Sequence, residues 1–204
     1  MNHKVNNVQM LHDDAVYMHN TLVVGGDASA DSILNNLNQG IENLKANWKG
    51  KDAGLRIQEV IVVHNAMVAV RNALAQLAVD SSKIAANYRE IQNANGAGLE
   101  TLGTLSFEVR TNLSDYSDTS DAIDINSSVE VGKSNIDNAA NALEPFVSLV
   151  NAKYQEIMEN WTAGASRQNA QEAFDSFISS VSKYRQTLVD VSSNITKALQ
   201  NYTF

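Results

Sequence analysis

The side chains in this sequence that could do chemistry are its four histidines, several carboxylate pairs and its serines. His12 and His19 lie seven residues apart, with Asp13 beside the first, so both imidazoles could share one helix face. Zinc sites favour closer pairs together with a third ligand from elsewhere in the chain. We therefore interpret these histidines as polar residues of an N-terminal arm and expect no metal.

The acidic pairs support an equally plain interpretation. Glu156 and Glu159, like Glu172 and Asp175, are spaced to share a helix face, where carboxylates usually serve solvation. A carboxylate-bridged di-iron bundle needs a Glu-x-x-His motif on two helices, and neither half of the chain contains one. The paired serines lack the strand-turn-helix setting of a nucleophile elbow, and there is no cysteine. We expect no enzyme activity, no catalytic residue and no cofactor.

Composition excludes further classes of function. The 204 residues are 44% hydrophobic and 19% charged, with one proline, which indicates an ordered chain tolerant of helix. A net charge of −8 argues against nucleic acid as a partner. We find no secretory signal pattern and no apolar run of about 18 residues, so we expect neither a signal peptide nor a transmembrane segment.

The two tryptophans mark the most informative stretches. Trp48-Lys49-Gly50 follows one helical pattern and precedes a longer one, and Trp161 with Gly164 occupies the same place in the second half. The first segment, 29–93, and the second, 133–204, each predict two amphipathic helices joined by a tryptophan turn. The apolar stripes that lead into the two turns are spaced by three and four residues: Ile33, Leu37, Ile41, Leu44 and Trp48, and Ile136, Ala140, Leu143, Val147, Val150, Tyr154, Ile157 and Trp161.

Two segments lie outside these hairpins. Residues 1–28 predict a short helix or docking arm. Residues 94–132 predict a glycine-containing linker, acidic from residue 99 on, in which the alternation from Leu105 to Leu113 favours a short strand and a β-hairpin. Pro145 interrupts the second stripe, and we favour a kink over a helix that starts there.

The predicted fold is all-α, with two long antiparallel helical hairpins packed as an elongated four-helix bundle. Each hairpin has an apolar stripe that it cannot bury alone, so one hairpin should cover the other. The partner hairpin could belong to the same chain or to an exchanged homodimer. We favour the single chain, because a tethered partner has an effective concentration that reaches the millimolar range.

The tryptophan turns resemble those of the WXG family, which are small helical hairpins exported by type VII (ESX) secretion systems of Gram-positive bacteria and actinobacteria. Members are about half this length and pair as antiparallel four-helix dimers. The chain therefore resembles a tandem, two-unit member, although Gly164 stands one place later than the motif requires. The family's mycobacterial export signal, a tyrosine followed four residues later by an acid, has no match after the second helix of either half.

The resemblance implies a non-enzymatic secretion substrate or adaptor that is exported or escorts an effector. Trp48, Gly50, Trp161 and Gly164 would then shape the surface recognised by the secretion ATPase, by a helical effector or by a WXG-type partner. The protein would be cytoplasmic before export and then secreted or held at the cell surface. The alternatives are a membrane-active helical toxin and a structural cell-surface coiled-coil protein, or tryptophans that only fill the bundle core.

Overall fold

The computed structural model describes residues 4–121, 123–162 and 164–202, so residues 1–3, 122, 163 and 203–204 of the predicted segments lie outside the described residues. Helices make up most of the described chain, in agreement with the predicted all-α class. Their bounds are α1 Val8–Tyr17, a π-helical segment Met18–Gly25, α2 Ala30–Asn47, α3 Lys51–Ala94, α4 Val129–Asn160 and α5 Ala165–Tyr202. Two short strands, β1 Trp48–Lys49 and β2 Asp124–Ile125, complete the elements.

The first tryptophan-containing hairpin is α2, β1 and α3. Ser29 begins α2 by accepting a hydrogen bond from the Ser32 N–H at 3.1 Å, as an N-cap serine should. Trp48 then leaves the helix in an extended conformation, and Gly50, with a φ of 115°, precedes the first turn of α3. This backbone geometry favours glycine. Gly50 is thus the N-cap residue of α3.

The four long helices pack into a bundle in which α2 lies beside α3 and α4, and α5 lies beside α3 and α4. The predicted four-helix bundle is confirmed. The predicted stripes are buried: Ile33, Leu37, Ile41, Leu44, Ile136, Leu143, Val150 and Ile157 are each 0% exposed. Helix α4 continues through Pro145, so it does not begin there.

The N-terminal segment is part of the same bundle. The residues just before α1 contact the end of α4, where the Asn6 N–H donates to the Asn160 carbonyl oxygen at 3.0 Å. At the other end, Gly40 of α2 faces Ile136 and Gly132 near the start of α4. The chain from α1 to α2 therefore runs antiparallel to α4 along the length of α4. Helix α1 also packs on α3.

The linker differs from the prediction in how its strand pairs. Residues 105–113 are extended but pair with no strand, and β2 pairs antiparallel with β1 at the first tryptophan turn, with Trp48 opposite Ile125. The period-two alternation failed because the chain lies along a helix, where side chains need not alternate between two faces of a sheet.

Among the described helices, α3 alone is long and apolar enough to cross a membrane. Of its most apolar 18-residue window, 61% is buried inside the protein. The apolar character of α3 is thus explained largely by its place in the bundle core.

Candidate interaction surface: two matching tryptophan turns

The first turn is built where α2 ends and the segment before α4 crosses it. Trp48 N–H donates to the Leu44 carbonyl oxygen, which closes the last turn of α2. The Asn126 N–H donates to the Asn47 carbonyl oxygen at 3.2 Å, next to the Trp48–Ile125 pair. The turn is therefore fixed by an extended segment that belongs to the second half of the chain.

The second turn is built in the same way from the opposite halves. Trp161 N–H donates to the Ile157 carbonyl oxygen at 2.9 Å, and Trp161 forms an antiparallel bridge with Val5. The Asn6 N–H donates to the Asn160 carbonyl oxygen at 3.0 Å, and the Thr162 N–H donates to the Lys4 carbonyl oxygen at 3.2 Å. Here the extended segment before α1 crosses the turn that follows α4.

The correspondence extends to the asparagine that precedes each tryptophan. The Asn47 side-chain amide donates to the Asn43 carbonyl oxygen at 2.9 Å, and that of Asn160 donates to the Glu156 carbonyl oxygen at 3.1 Å. Each amide adds a second donor to a carbonyl of the last helical turn, one residue before the carbonyl that the tryptophan N–H bonds. The sequence contains this signal, because Asn-Trp occurs at both turns, but the asparagine's role was missed in our sequence interpretation.

The two turns lie at opposite ends of the bundle. Ala198, near the end of α5, lines a cleft with Trp48, while Ile84, in the last third of α3, lines a cleft with Trp161. Since each half of the chain contributes the strand that crosses the other half's turn, the halves are related by an approximate two-fold arrangement. The four predicted site residues therefore form two pairs at opposite ends of the bundle, Trp48 with Gly50 and Trp161 with Gly164.

Both indole rings are part of the core, since Trp48 and Trp161 are each 1% exposed. Any partner that meets these turns in this conformation contacts their rims: exposed Lys49 and Lys51 at the first, exposed Thr162 and Ala165 at the second. The tryptophans therefore support the turns from the core side.

The second glycine of the motif is explained by contact with its tryptophan. A Cβ added at Gly164 would lie 2.3 Å from Cζ2 of Trp161, far inside van der Waals contact. Gly164, one place later than the glycine of the first turn, therefore leaves the space that the indole ring of Trp161 occupies. Its neighbour Arg167 donates from Nε to the Trp161 carbonyl oxygen at 3.1 Å, which secures the start of α5.

A cleft opens beside each turn. The first has a volume of about 290 Å³ and is lined by backbone and side chains of residues 48–52, 120–121, 123 and 198. The second has a volume of about 220 Å³ and is lined by Asp80, Lys83, Ile84, Trp161 and residues 164–166. Both are small and mixed in polarity, which suits a few side chains of a protein partner better than a cofactor.

A carboxylate from the linker controls the electrostatics of the first turn. Asp118 Oδ2 accepts from the Gly50 N–H at 3.0 Å, and Oδ1 accepts from the Ser120 N–H at 2.9 Å. These two backbone donors, that of Gly50 above all, hold the pKa of Asp118 below its usual range. The carboxylate therefore stays ionised at the N-terminus of α3, where the helix dipole favours negative charge.

The histidines of the N-terminal segment lie apart from these turns. His12 Nε2 hydrogen-bonds with the Gly103 carbonyl oxygen at 2.9 Å and His19 Nδ1 with Asn20 Oδ1. Across the described ranges, no group of three histidine, aspartate or glutamate side chains converges to hold a metal ion.

A partly buried ionic cluster joins α1 to α4. Lys153 Nζ donates to Asp14 Oδ1 at 2.9 Å and also to Glu156. Burial raises the pKa of Asp14, while the bond from Lys153 lowers the pKa of Glu156. We interpret the cluster as an interhelical clamp, because it joins two packed helices and opens onto neither of the clefts described above.

Comparison of the chain with protein-family models, with curated proteins and with solved structures gives no match.

Proposed function

We propose that this protein is a non-enzymatic substrate or adaptor of a type VII secretion system, a tandem WXG-like chain that is exported or escorts an effector. The main support is the matched pair of turns, in which Trp48 and Trp161 follow equivalent helices and each pairs with an extended segment from the other half, Trp48 in a short ladder and Trp161 in an isolated bridge. A single chain with this arrangement is equivalent to an antiparallel dimer of two WXG-type hairpins.

The recognised surface in this proposal is the rim of each turn. At the first turn, exposed Lys49 and Lys51 stand beside the cleft that Trp48 lines from below. A partner that presents carboxylates and one or two apolar side chains would match this mixture of charge and shape. The partner is the secretion ATPase, a helical effector or another WXG-type protein.

Export can be tested in a Gram-positive host that has a type VII system, with and without its ATPase. We expect the tagged protein in the culture medium only when the ATPase is present. Equal amounts in the medium of both strains would contradict the proposal. Retention in the cytosol together with a co-purifying effector would support the adaptor form.

The rim can be tested separately from the core. Lys49→Glu reverses an exposed charge at the first turn, and we expect it to lower export while the circular dichroism stays helical. Lys183→Glu is the matched control, because Lys183 is an exposed lysine on α5 outside both clefts. If the two variants are exported equally, the rim of the first turn is not the recognised surface.

The membrane-active toxin has one observation in its favour, the apolar length of α3. Insertion would require α3 to leave the bundle and expose its core face, and lipid would have to replace that packing. Release of dye from anionic liposomes by the purified protein would support this alternative. Intact liposomes together with ATPase-dependent export would favour the secretion proposal.

A further inference from the structure

Residues 99–121, which we call the strap, form an extended chain laid along α3. The strap begins near the end of α3, where Leu99 bonds with Asn93, and ends near its start, where Asp118 bonds with Gly50. It therefore runs antiparallel to α3 over almost the full length of that helix. Each of its residues is half-buried or exposed, so the strap covers the bundle without entering the core.

Asparagines of α3 hold the strap by its backbone. Asn72 accepts from the Arg110 N–H at 3.0 Å and donates to the Arg110 carbonyl oxygen at 2.8 Å. Asn65 does the same with Leu113, at 2.8 and 2.9 Å. Asn93 repeats the pattern with Leu99 near the end of the helix. A side-chain amide that binds both backbone groups of one residue recognises an extended chain whatever that residue's side chain is.

The spacing of these amides matches the repeat of an extended chain. Gln58, Asn65 and Asn72 are seven residues apart on α3, and they bond Tyr116, Leu113 and Arg110, which are three residues apart on the strap. Seven helical residues advance about 10.5 Å, and three extended residues advance about 10 Å. Two heptads of α3 are thus in register with two three-residue steps of the strap.

Other side chains of α3 also bond the backbone of the strap. Buried Arg71 donates to the Glu108 carbonyl oxygen at 2.6 Å, and Ser82 Oγ accepts from the Leu105 N–H at 3.0 Å. Polar side chains of the strap also bond the bundle, as Asp115 does with Gln58 at 2.8 Å and Arg110 with Asp31 at 3.2 Å. Its apolar anchors are partly buried residues that rest on the core: Leu102, Leu105, Phe107, Leu113 and Tyr116. Val109, between these anchors, is 68% exposed.

We propose that this face of α3 is a binding groove for an extended polypeptide, occupied here by the chain's own strap and occupied in complexes by an extended segment of a partner protein. The groove provides backbone donors and acceptors at a fixed repeat and a few shallow apolar sites, so it accepts another chain that has anchors at matching positions. This inference does not depend on the secretion proposal.

The apolar and acidic residues of the strap indicate which side chains a partner segment would need. Its last apolar anchor, Tyr116, is followed by Asp118 on the N-terminus of α3 and by Asp121, which pairs with Lys51. A competing segment should therefore carry spaced apolar residues and then carboxylates at the end that meets the first tryptophan turn. It should lack proline where Asn65 and Asn72 need an N–H donor.

The experiment uses the full chain with its strap loosened by Leu113→Ser and Tyr116→Ser, and a fluorescent peptide of residues 99–121 as the probe. We expect saturable binding by fluorescence anisotropy, much weaker on the wild-type chain, whose groove is filled. A peptide N-methylated at the positions of Arg110 and Leu113 lacks the two N–H groups that donate hydrogen bonds to Asn72 and Asn65. Its affinity should fall at least about tenfold.

The matched protein variants separate the groove from the rest of α3. Asn65→Ala with Asn72→Ala in the loosened chain should weaken binding of the unmodified peptide by a similar factor. Gln76→Ala, an exposed α3 amide that bonds Asp80 of its own helix, should leave binding unchanged. No saturable binding, or equal affinity for the methylated and unmodified peptides, would overturn the proposal.

A second measurement covers the case in which the loosened variant loses its helicity. Excess peptide is then added to the wild-type chain, and hydrogen exchange is followed at the strap amides of Arg110 and Leu113. Faster exchange with the unmodified peptide, and not with the methylated one, supports displacement of the strap. Exchange that neither peptide changes contradicts it.

Discussion

Arg71 of α3 and Asp31 of α2 form a buried bidentate ion pair, with Nε to Oδ1 at 3.0 Å and Nη2 to Oδ2 at 3.1 Å. Their side chains are only 4% and 9% exposed. The same guanidinium donates to the Glu108 carbonyl oxygen of the strap. One arginine thus joins the two helices of the first hairpin to the chain that covers them, which links stability of the bundle to seating of the strap.

Arg71→Ala should lower the free energy of unfolding by about 3 kcal/mol, because removal of one member of a buried pair leaves the other charge poorly compensated. Arg110 Nε, at 3.2 Å from Asp31 Oδ1, limits the loss. Urea denaturation measures the change. Arg56→Ala is the control, since the contacts of Arg56 with Asp52 and Glu59 stay within one helix. Equal losses for both variants would contradict a special role for the buried pair.

Gly164→Ala should destabilise the second turn. Its Cβ would lie 2.3 Å from Trp161 Cζ2 and 2.9 Å from Cη2, so the buried indole must shift, at a cost of about 1–3 kcal/mol. Thermal unfolding followed by tryptophan fluorescence measures both the loss and the altered ring environment. Gly103→Ala is matched, because a Cβ there meets nothing within 4 Å, and we expect it to change stability by less than about 0.5 kcal/mol.

The helices and their packing were predictable because each bears a continuous apolar stripe. Ile33 to Trp48 and Ile136 to Trp161 are spaced by three and four residues and are buried accordingly. The pairing of the tryptophan turns with Val5 and Ile125 was not predictable, since one ladder of two residue pairs and one isolated bridge leave no periodic pattern. The strap was not predictable, because its partners are the polar side chains Gln58, Asn65 and Asn72, whose seven-residue spacing adds nothing to an apolar stripe.

Lys153→Met should make stability depend more strongly on pH. Burial raises the pKa of Asp14 above its ordinary value of 3.8, and the bond from Lys153 opposes that rise. A carboxyl whose folded pKa is raised binds its proton more tightly in the folded state, so stability falls as pH rises from the ordinary pKa through the raised one. Without Lys153 the pKa of Asp14 rises further and that loss grows.

We therefore expect Lys153→Met to cost about 2 kcal/mol near pH 7, because it leaves the buried Asp14 carboxylate without its donor, and clearly less near pH 4, where Asp14 takes up its proton. Urea midpoints at both pH values measure this. Lys133→Met is the control, because Lys133 bonds Asp137 of its own helix, whose side chain is 38% exposed against 7% for Asp14, and we expect a small cost at both pH values. A loss for Lys153→Met that is independent of pH would show that Asp14 is not the group responsible.

The closure of the bundle within one chain can be tested with a disulfide, because the sequence has no cysteine of its own. Lys49 and Asp124 are directly opposed in the antiparallel ladder between β1 and β2, where Cα atoms lie about 4.5–5.5 Å apart, within reach of a disulfide. The variant with Lys49→Cys and Asp124→Cys should oxidise to a cross-linked monomer that migrates faster on a non-reducing gel. In an exchanged homodimer the second hairpin of one chain would meet the first hairpin of the other, so the same oxidation would give a covalent dimer. Lys49→Cys alone controls for random cross-linking between chains.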